Sequence, residues 1–141
     1  MLEKYKECLR STDLGLLIIR LNVGGLLLFH GIYKTINGVA GIEEMLSSIG
    51  LPGFIAYGAL LSELVASIMV VFGVWTRAAS AVIAVNMVVA ILMAHLSVLL
   101  SVDPVTGGWA IELPMLYLLP ALALCFTGGG KYSLTRGTFF D

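Results

Sequence analysis

The chain has 141 residues, of which 59% are hydrophobic and only 12% charged, with a net charge of −1 and no basic run. A soluble domain carries about a quarter charged residues, so the composition excludes a water-soluble globule, and the missing basic patch excludes a nucleic-acid partner. Cys8 and Cys125 stand far apart and outside any Cys-x-x-Cys pairing, which signals neither a disulfide framework nor a zinc site.

Along the chain, hydrophobic residues fall into four runs of about twenty, each long enough to cross a hydrocarbon core of about 30 Å. The charged N-terminal stretch through Arg10 leads into a run too long for a signal-peptide core, so no cleaved leader is expected. A first span is predicted over residues 14–36. Asn37-Gly38 and Leu51-Pro52-Gly53 then bracket a loop. Within it Ile42, Met45, Leu46 and Ile49 recur at helical spacing opposite Glu43 and Glu44, the pattern of a short interfacial helix. A second span follows over residues 53–75. After the tight turn at Thr76-Arg77 comes a third over residues 78–100. The fourth, residues 109–126, contains Pro114 and Pro120, which remove backbone donors and should bend it. The expected fold is all-α: a polytopic four-transmembrane-helix bundle with one short interfacial helix, forming a single transmembrane domain over residues 1–141.

Orientation follows from the Lys/Arg bias of the loops. Lys4, Lys6, Arg10, Arg77, Lys131 and Arg136 fall on one side, against Lys34 on the other. Both termini are therefore expected in the cytoplasm. Trp75 and Trp109 lie at span ends, where aromatic belts form.

Charged groups within a bilayer cost about 2.5–3.5 kcal/mol each at mid-depth, so each needs a partner or a use. Arg20, His30 and Lys34 lie in the first span, Glu63 in the second, Asn86 and His95 in the third, and Glu112 in the fourth. Counting 1.5 Å per residue from each midpoint, His30, His95 and Glu112 share a depth about 8–9 Å toward the outer face, with Glu63 near the midplane. Arg20 sits about 8 Å to the inner side, within reach of Glu63. At 100° per residue Arg20, Gly24, Leu27, Gly31 and Lys34 share one face, and Ala56, Ala59, Glu63, Ala66 and Ser67 another. His95 and Asn86 point in opposite directions on this wheel. His95 is assigned inward, and Asn86 to a helix contact or a subunit interface.

Two readings of these residues compete. In the structural one Arg20 and Glu63 form a buried ion pair, Lys34 snorkels to the headgroups and the histidines pack. In the functional one His30, His95 and Glu112, with Glu63 and Arg20, line a ligand site. Histidine titrates near neutrality, so beside a carboxylate it can orient a quinone carbonyl and pass its proton. Two opposed histidines can also hold a haem, but with no Cys-x-x-Cys-His attachment site only non-covalent haem is left, the less favoured option. No metal-ligand cluster, flavin fingerprint or dithiol pair is present in the sequence.

The residues Arg20-Leu21, Phe29-His30-Gly31-x-x-Lys34, Glu63-Leu64, Phe72-Gly73-Val74-Trp75-Thr76-Arg77, Ala94-His95-Leu96, Glu112-Leu113 and Gly129-Gly130-Lys131-Tyr132-Ser133-Leu134 occur in this order across four spans. Together they resemble the DoxX family of small bacterial membrane proteins, over nearly the whole chain. The resemblance implies a four-helix inner-membrane protein working with a partner, an oxidoreductase or dioxygenase subunit, in systems that pass electrons to quinone. The resulting expectation is a membrane component of an oxidoreductase system that binds quinone or another small apolar molecule between its helices. The alternatives are a non-enzymatic adaptor or anchor for a partner protein and, third, a small transporter, for which four spans without an inverted repeat leave little room unless the chain forms a homo-oligomer.

Overall fold

A computed structural model of the chain describes residues 11–141. Cys8, Lys4, Lys6 and Arg10, on which part of the expected orientation rests, lie outside the described residues. Among the described residues every regular element is helical, as expected of an all-α fold, with one isolated bridge between Val102 and Trp109.

Helix α1 runs over Thr12–Asn37, α2 over Ala40–Ser48, α3 over Gly53–Phe72, α4 over Thr76–Ala94 and α5 over Glu112–Thr127. Helices α1, α3 and α4 are long and apolar enough to cross a membrane, whereas α5 is apolar but has 16 residues, about 24 Å of helix. Pro114 falls in the first turn of α5, where a missing N–H removes no helical bond, and the helix runs unbroken through Pro120.

Local chemistry sets the ends. The Ser11 hydroxyl caps α1 by accepting from the Leu14 N–H at 3.2 Å. Helix α3 stops at Phe72, short of the expected Trp75, because Gly73 takes the left-handed conformation (φ 71°) that closes a helix. Trp75 is also left-handed (φ 44°), and α4 starts directly after it. Helix α4 ends at Ala94, earlier than the expected residue 100, and a 3₁₀ turn over Leu96–Val98 follows. Trp109 is not in α5: it pairs with Val102, and its indole N–H donates to the Leu99 carbonyl at 2.7 Å.

The core lies between α1, α3, α4 and α5, built around Val23, Leu27, Val70, Ile83, Ala121 and Leu124. Helix α2 buries Leu46 against Val39 and Ala56, which places it over the N-terminal end of α3. Both α1 and α3 contain a π turn, at Leu21–Gly25 and Leu61–Ala66. Wide turns of this kind recur at functional sites because they free carbonyls and shift side chains around the axis. The freed Ser62 carbonyl accepts from the Ser67 hydroxyl at 3.4 Å.

The two helices meet through glycine. A Cβ on Gly31 would lie 2.5 Å from the Glu63 carbonyl oxygen, and one on Gly24 would lie 2.7 Å from that of Ser67. Nothing but hydrogen fits there, which is how transmembrane helices reach their closest packing. Gly31→Ala should therefore lower stability by about 1–3 kcal/mol, the usual range for overpacking. Gly25→Ala, with open space around the added methyl, should leave it unchanged. Thermal unfolding of the two variants in detergent would check this, and equal behaviour would show that the close approach is not limiting.

Candidate functional site

Arg20 is 1% exposed and is held at the opposite end of the bundle from Glu63's partner. Its Nε donates to the Val70 carbonyl at 2.9 Å and Nη2 to that of Val71 at 2.8 Å. Nη1 donates to the Gly129 and Tyr132 carbonyls, both at 3.0 Å, and to the Ser133 hydroxyl at 3.2 Å. Val70 and Val71 are in the last turn of α3, whose unpaired carbonyls form the negative end of the helix dipole. The expected Arg20–Glu63 pair is thus replaced: five neutral acceptors surround the guanidinium, three of them sharing the two Nη1 hydrogens, so that four of its five N–H groups are engaged.

Glu63 pairs instead with Lys34, whose Nζ lies 2.5 and 2.6 Å from the two carboxylate oxygens. Lys34 does not reach for the headgroups as the structural reading expected. One α1 turn separates it from Gly31, and the glycine contact brings α3 close enough for the ammonium to close on Glu63. Of the two roles left open for Asn86, the structure shows the helix contact, because its amide on α4 donates to Glu63 Oε1 on α3 at 3.4 Å. Both oxygens of a side chain only 5% exposed are thereby given hydrogen-bond partners, as burial of a polar group requires.

Glu63 lines a cavity of about 360 Å³ shared by His30 and Leu27 of α1, Ala90 and His95 at the end of α4, and Tyr117 of α5. The His30 ring stands edge-on to Tyr117, with centroids 6.0 Å apart and an interplanar angle of 83°. His95 Nδ1 lies 3.3 Å from the Ala90 carbonyl oxygen. A carbonyl can only accept, so Nδ1 carries the proton and Nε2 of the neutral ring is left as an acceptor.

The structure therefore brings His30, His95 and Glu63 to one cavity and leaves Arg20 and Glu112 outside it. Glu112 is the first residue of α5 and exposed, and its carboxylate lies over Gly108. Its matching depth does not carry it inward, because the residue starts a helix instead of standing within one. His95 and Asn86 can both face polar partners because His95 is not helical (φ −128°, ψ 5°), so the 100° rule does not apply to it. Sequence reasoning missed Tyr117. Its signal was a tyrosine inside a span, away from the ends where aromatic belts place such residues.

The loop before α5 is pinned by Asp103, whose side chain accepts from the Val105 and Thr106 N–H groups at 2.7 and 3.1 Å. These backbone donors, Thr106 first, hold its carboxyl below the usual carboxylate range. Ala110, which lines the cavity, is tied to the other arm of the loop by its N–H to the Ser101 carbonyl at 3.0 Å. Among the described residues no group of three or more His, Cys, Asp or Glu side chains is placed to hold a metal ion.

The Lys34–Glu63 pair carries a direct test. Removing Lys34 strands a buried carboxylate, and losing one partner of such a pair costs about 3–5 kcal/mol, whereas replacing both is close to neutral. Lys34→Leu should therefore cut folded yield and thermal stability in detergent, and Lys34→Leu with Glu63→Leu should restore them. A double variant no better than Lys34→Leu alone would show that the pair is not coupled.

Comparison with known proteins gives a consistent result. The DoxX family matches residues 15–96, more than half of the chain. "Putative oxidoreductase CatD" of Bacillus subtilis (strain 168) is 32% identical over 130 residues, covering 92% of this chain and 91% of that protein. No solved structure matches.

Proposed function

Because this chain belongs to the DoxX family, we propose that it is the membrane component of an oxidoreductase system and binds a quinone, or a small apolar carbonyl compound like it, between its helices. Its family and its similarity to a protein named as an oxidoreductase mark it as a membrane protein related to such systems. The observation that carries the finer reading is the single cavity lined by His30, His95, Tyr117 and Glu63. Its volume of about 360 Å³ falls in the range of small-molecule sites, about 300–1,000 Å³. Leu27, Met87 and Leu113 provide apolar walls for a ring, and the His30 and Tyr117 rings lie edge to face beside one another. The residues present fit such a ligand.

A bound quinone would supply two-electron redox chemistry coupled to protons, its reduced form giving up hydroxyl protons as electrons leave to a partner subunit and its oxidised form taking up both when electrons arrive. The chain's own residues orient the ligand and move protons. The Tyr117 hydroxyl and the His30 ring are the donors for a carbonyl oxygen. His95, with Nδ1–H fixed on the Ala90 carbonyl, offers Nε2 to accept a proton from a reduced hydroxyl. The Glu63 side chain lines the same cavity, and Lys34 holds it in place through both carboxylate oxygens. His30→Leu and His95→Leu should each weaken binding of a quinone analogue about tenfold or more, the loss of one well-made hydrogen bond. The thermal transition should be kept, because leucine suits a bilayer interior. Titration of the analogue into protein in lipid nanodiscs measures both, and leucine variants of full affinity would overturn the assignment.

In this reading the protein lies in the bacterial inner membrane with both termini cytoplasmic and α2 on the outer face. Arg77, Lys131 and Arg136 support that orientation, and Lys34 does not oppose it, since its charge is spent on Glu63. A variant lacking the native thiols and carrying Ser47→Cys should react with an impermeant maleimide from outside the cell. Labelling only after the cytoplasm is opened would reverse the topology.

A further inference from the structure

The lining of the histidine cavity is unequally covered. Leu27, Glu63, Met87 and Tyr117 are buried and form its deep wall, whereas His30 of α1 and Leu113 of α5 are exposed, Leu113 at 56%. Nearer Arg20 the same two helices are sealed. There α5 packs on α1 over residues 12–25, and Val23 is fully buried. So is Leu124, which follows Leu113 by eleven residues and therefore lies on the same stripe of α5. Helices α1 and α5 thus part toward the end away from Arg20, and the gap between them is the mouth of the cavity. The His30 and Tyr117 rings meet edge to face across it.

This mouth faces hydrocarbon. His30 lies seven residues before Asn37, the last of α1, and so about 10 Å inside the span. Its neighbours at helical spacing, Leu26 and Tyr33, are exposed, as are Leu113 and Leu116 on α5. The way out along the bundle axis meets the loop before α5 instead, held by the Ala110 N–H on the Ser101 carbonyl and the Trp109 indole on that of Leu99. A polar ring at the lipid boundary of a span is costly and marks a ligand path by default. His30 stands in the opening.

We infer that the ligand of the histidine cavity is lipid-borne: it enters sideways from the bilayer between α1 and α5, and its apolar chain stays in that cleft while its head occupies the cavity. The inference rests on the reading of this cavity as a small-molecule site, and it narrows the ligand to amphiphiles with a hydrocarbon chain. At about 360 Å³ the cavity is at the small end of ligand sites, so a long chain has to lie outside it. Leu26 and Tyr33 on one side and Leu113 and Leu116 on the other give that chain apolar walls continuous with the lipid.

The test uses the full chain in lipid nanodiscs and two benzoquinones, one with a decyl chain carrying a diazirine and one with a methyl group in place of that chain. After irradiation, mass spectrometry should place the chain's label on α1 and α5 beside the cleft, around Leu26, Tyr33, Leu113 and Leu116. Excess methyl compound should remove the label, because both heads compete for one cavity. Leu116→Trp, with its thermal transition retained, should lower the ratio of decyl to methyl affinity about fivefold or more, the lower end of the usual cost of overpacking. If that variant does not fold, the position of the label in the unaltered chain decides. Label spread over Leu61 and Val85, which edge the separate apolar cleft between α2, α3 and α4, would identify dissolved chain and overturn the inference. So would label confined to residues 99–108, which would place the entrance on the aqueous side, or label that survives excess methyl compound. Binding of the methyl compound with any of these patterns would leave the small-molecule reading of the cavity standing. Failure of both quinones to bind would overturn that reading and this inference with it.

Discussion

The burial of Arg20 ties the molecule together at one end. A guanidinium cannot lose its proton inside a protein, so all its donors must find acceptors where water is absent. The last turn of α3 and the turn after α5 provide acceptors for four of its five N–H groups, through the carbonyls of Val70, Val71, Gly129 and Tyr132 and the Ser133 hydroxyl. One side chain of α1 thereby holds the ends of two other helices. Asp13 adds to the same junction by accepting from the Lys131 N–H at 2.8 Å. Gly73 belongs to it too, since a Cβ there would meet the Arg20 guanidinium and the Ser133 backbone. The turn beyond α5 also packs on the α3–α4 hairpin, where the Leu134 and Thr135 N–H groups donate to the Phe72 and Gly73 carbonyls.

With that end closed, α1 and α3 stay in contact along the glycine seam, and the seam delivers Lys34 to Glu63. The order of causes is steric first and electrostatic second. Gly24 and Gly31 bring the backbones together, the π turn of α3 at Leu61–Ala66 sets the direction of Glu63, and the ammonium then closes on the carboxylate. The charge within the bundle is neutralised locally and kept rigid. A preorganised carboxylate of this kind can influence a neighbouring imidazole without first reorganising solvent.

Glu63 and Asn86 also divide the interior into two unlike spaces. On one side are two histidines and a tyrosine, on the other a cavity that is apolar save for Ser62 and Asn86. The Asn86–Glu63 hydrogen bond stands between them.

Much of this was legible in the sequence. Runs of about twenty apolar residues demand helices that cross a bilayer, Gly38 marks a helix end, and the wheel of α1 put Arg20, Gly24, Leu27, Gly31 and Lys34 on one face, the one that meets α3. The need for a partner at each buried charge was equally plain. The identity of the partners was not. Depth along a helix axis is a one-dimensional measure, and by depth Arg20 could reach Glu63 and Glu112 could join the histidines. Hydrogen bonds also depend on rotation and on helix ends. Two π turns changed the rotation, and His95 and Glu112 sit at helix boundaries where the 3.6-residue repeat no longer applies. The tertiary structure alone decided that Lys34 belongs to Glu63 and that Arg20 belongs to the backbone, because only packed helices bring donors and acceptors within about 3 Å of each other.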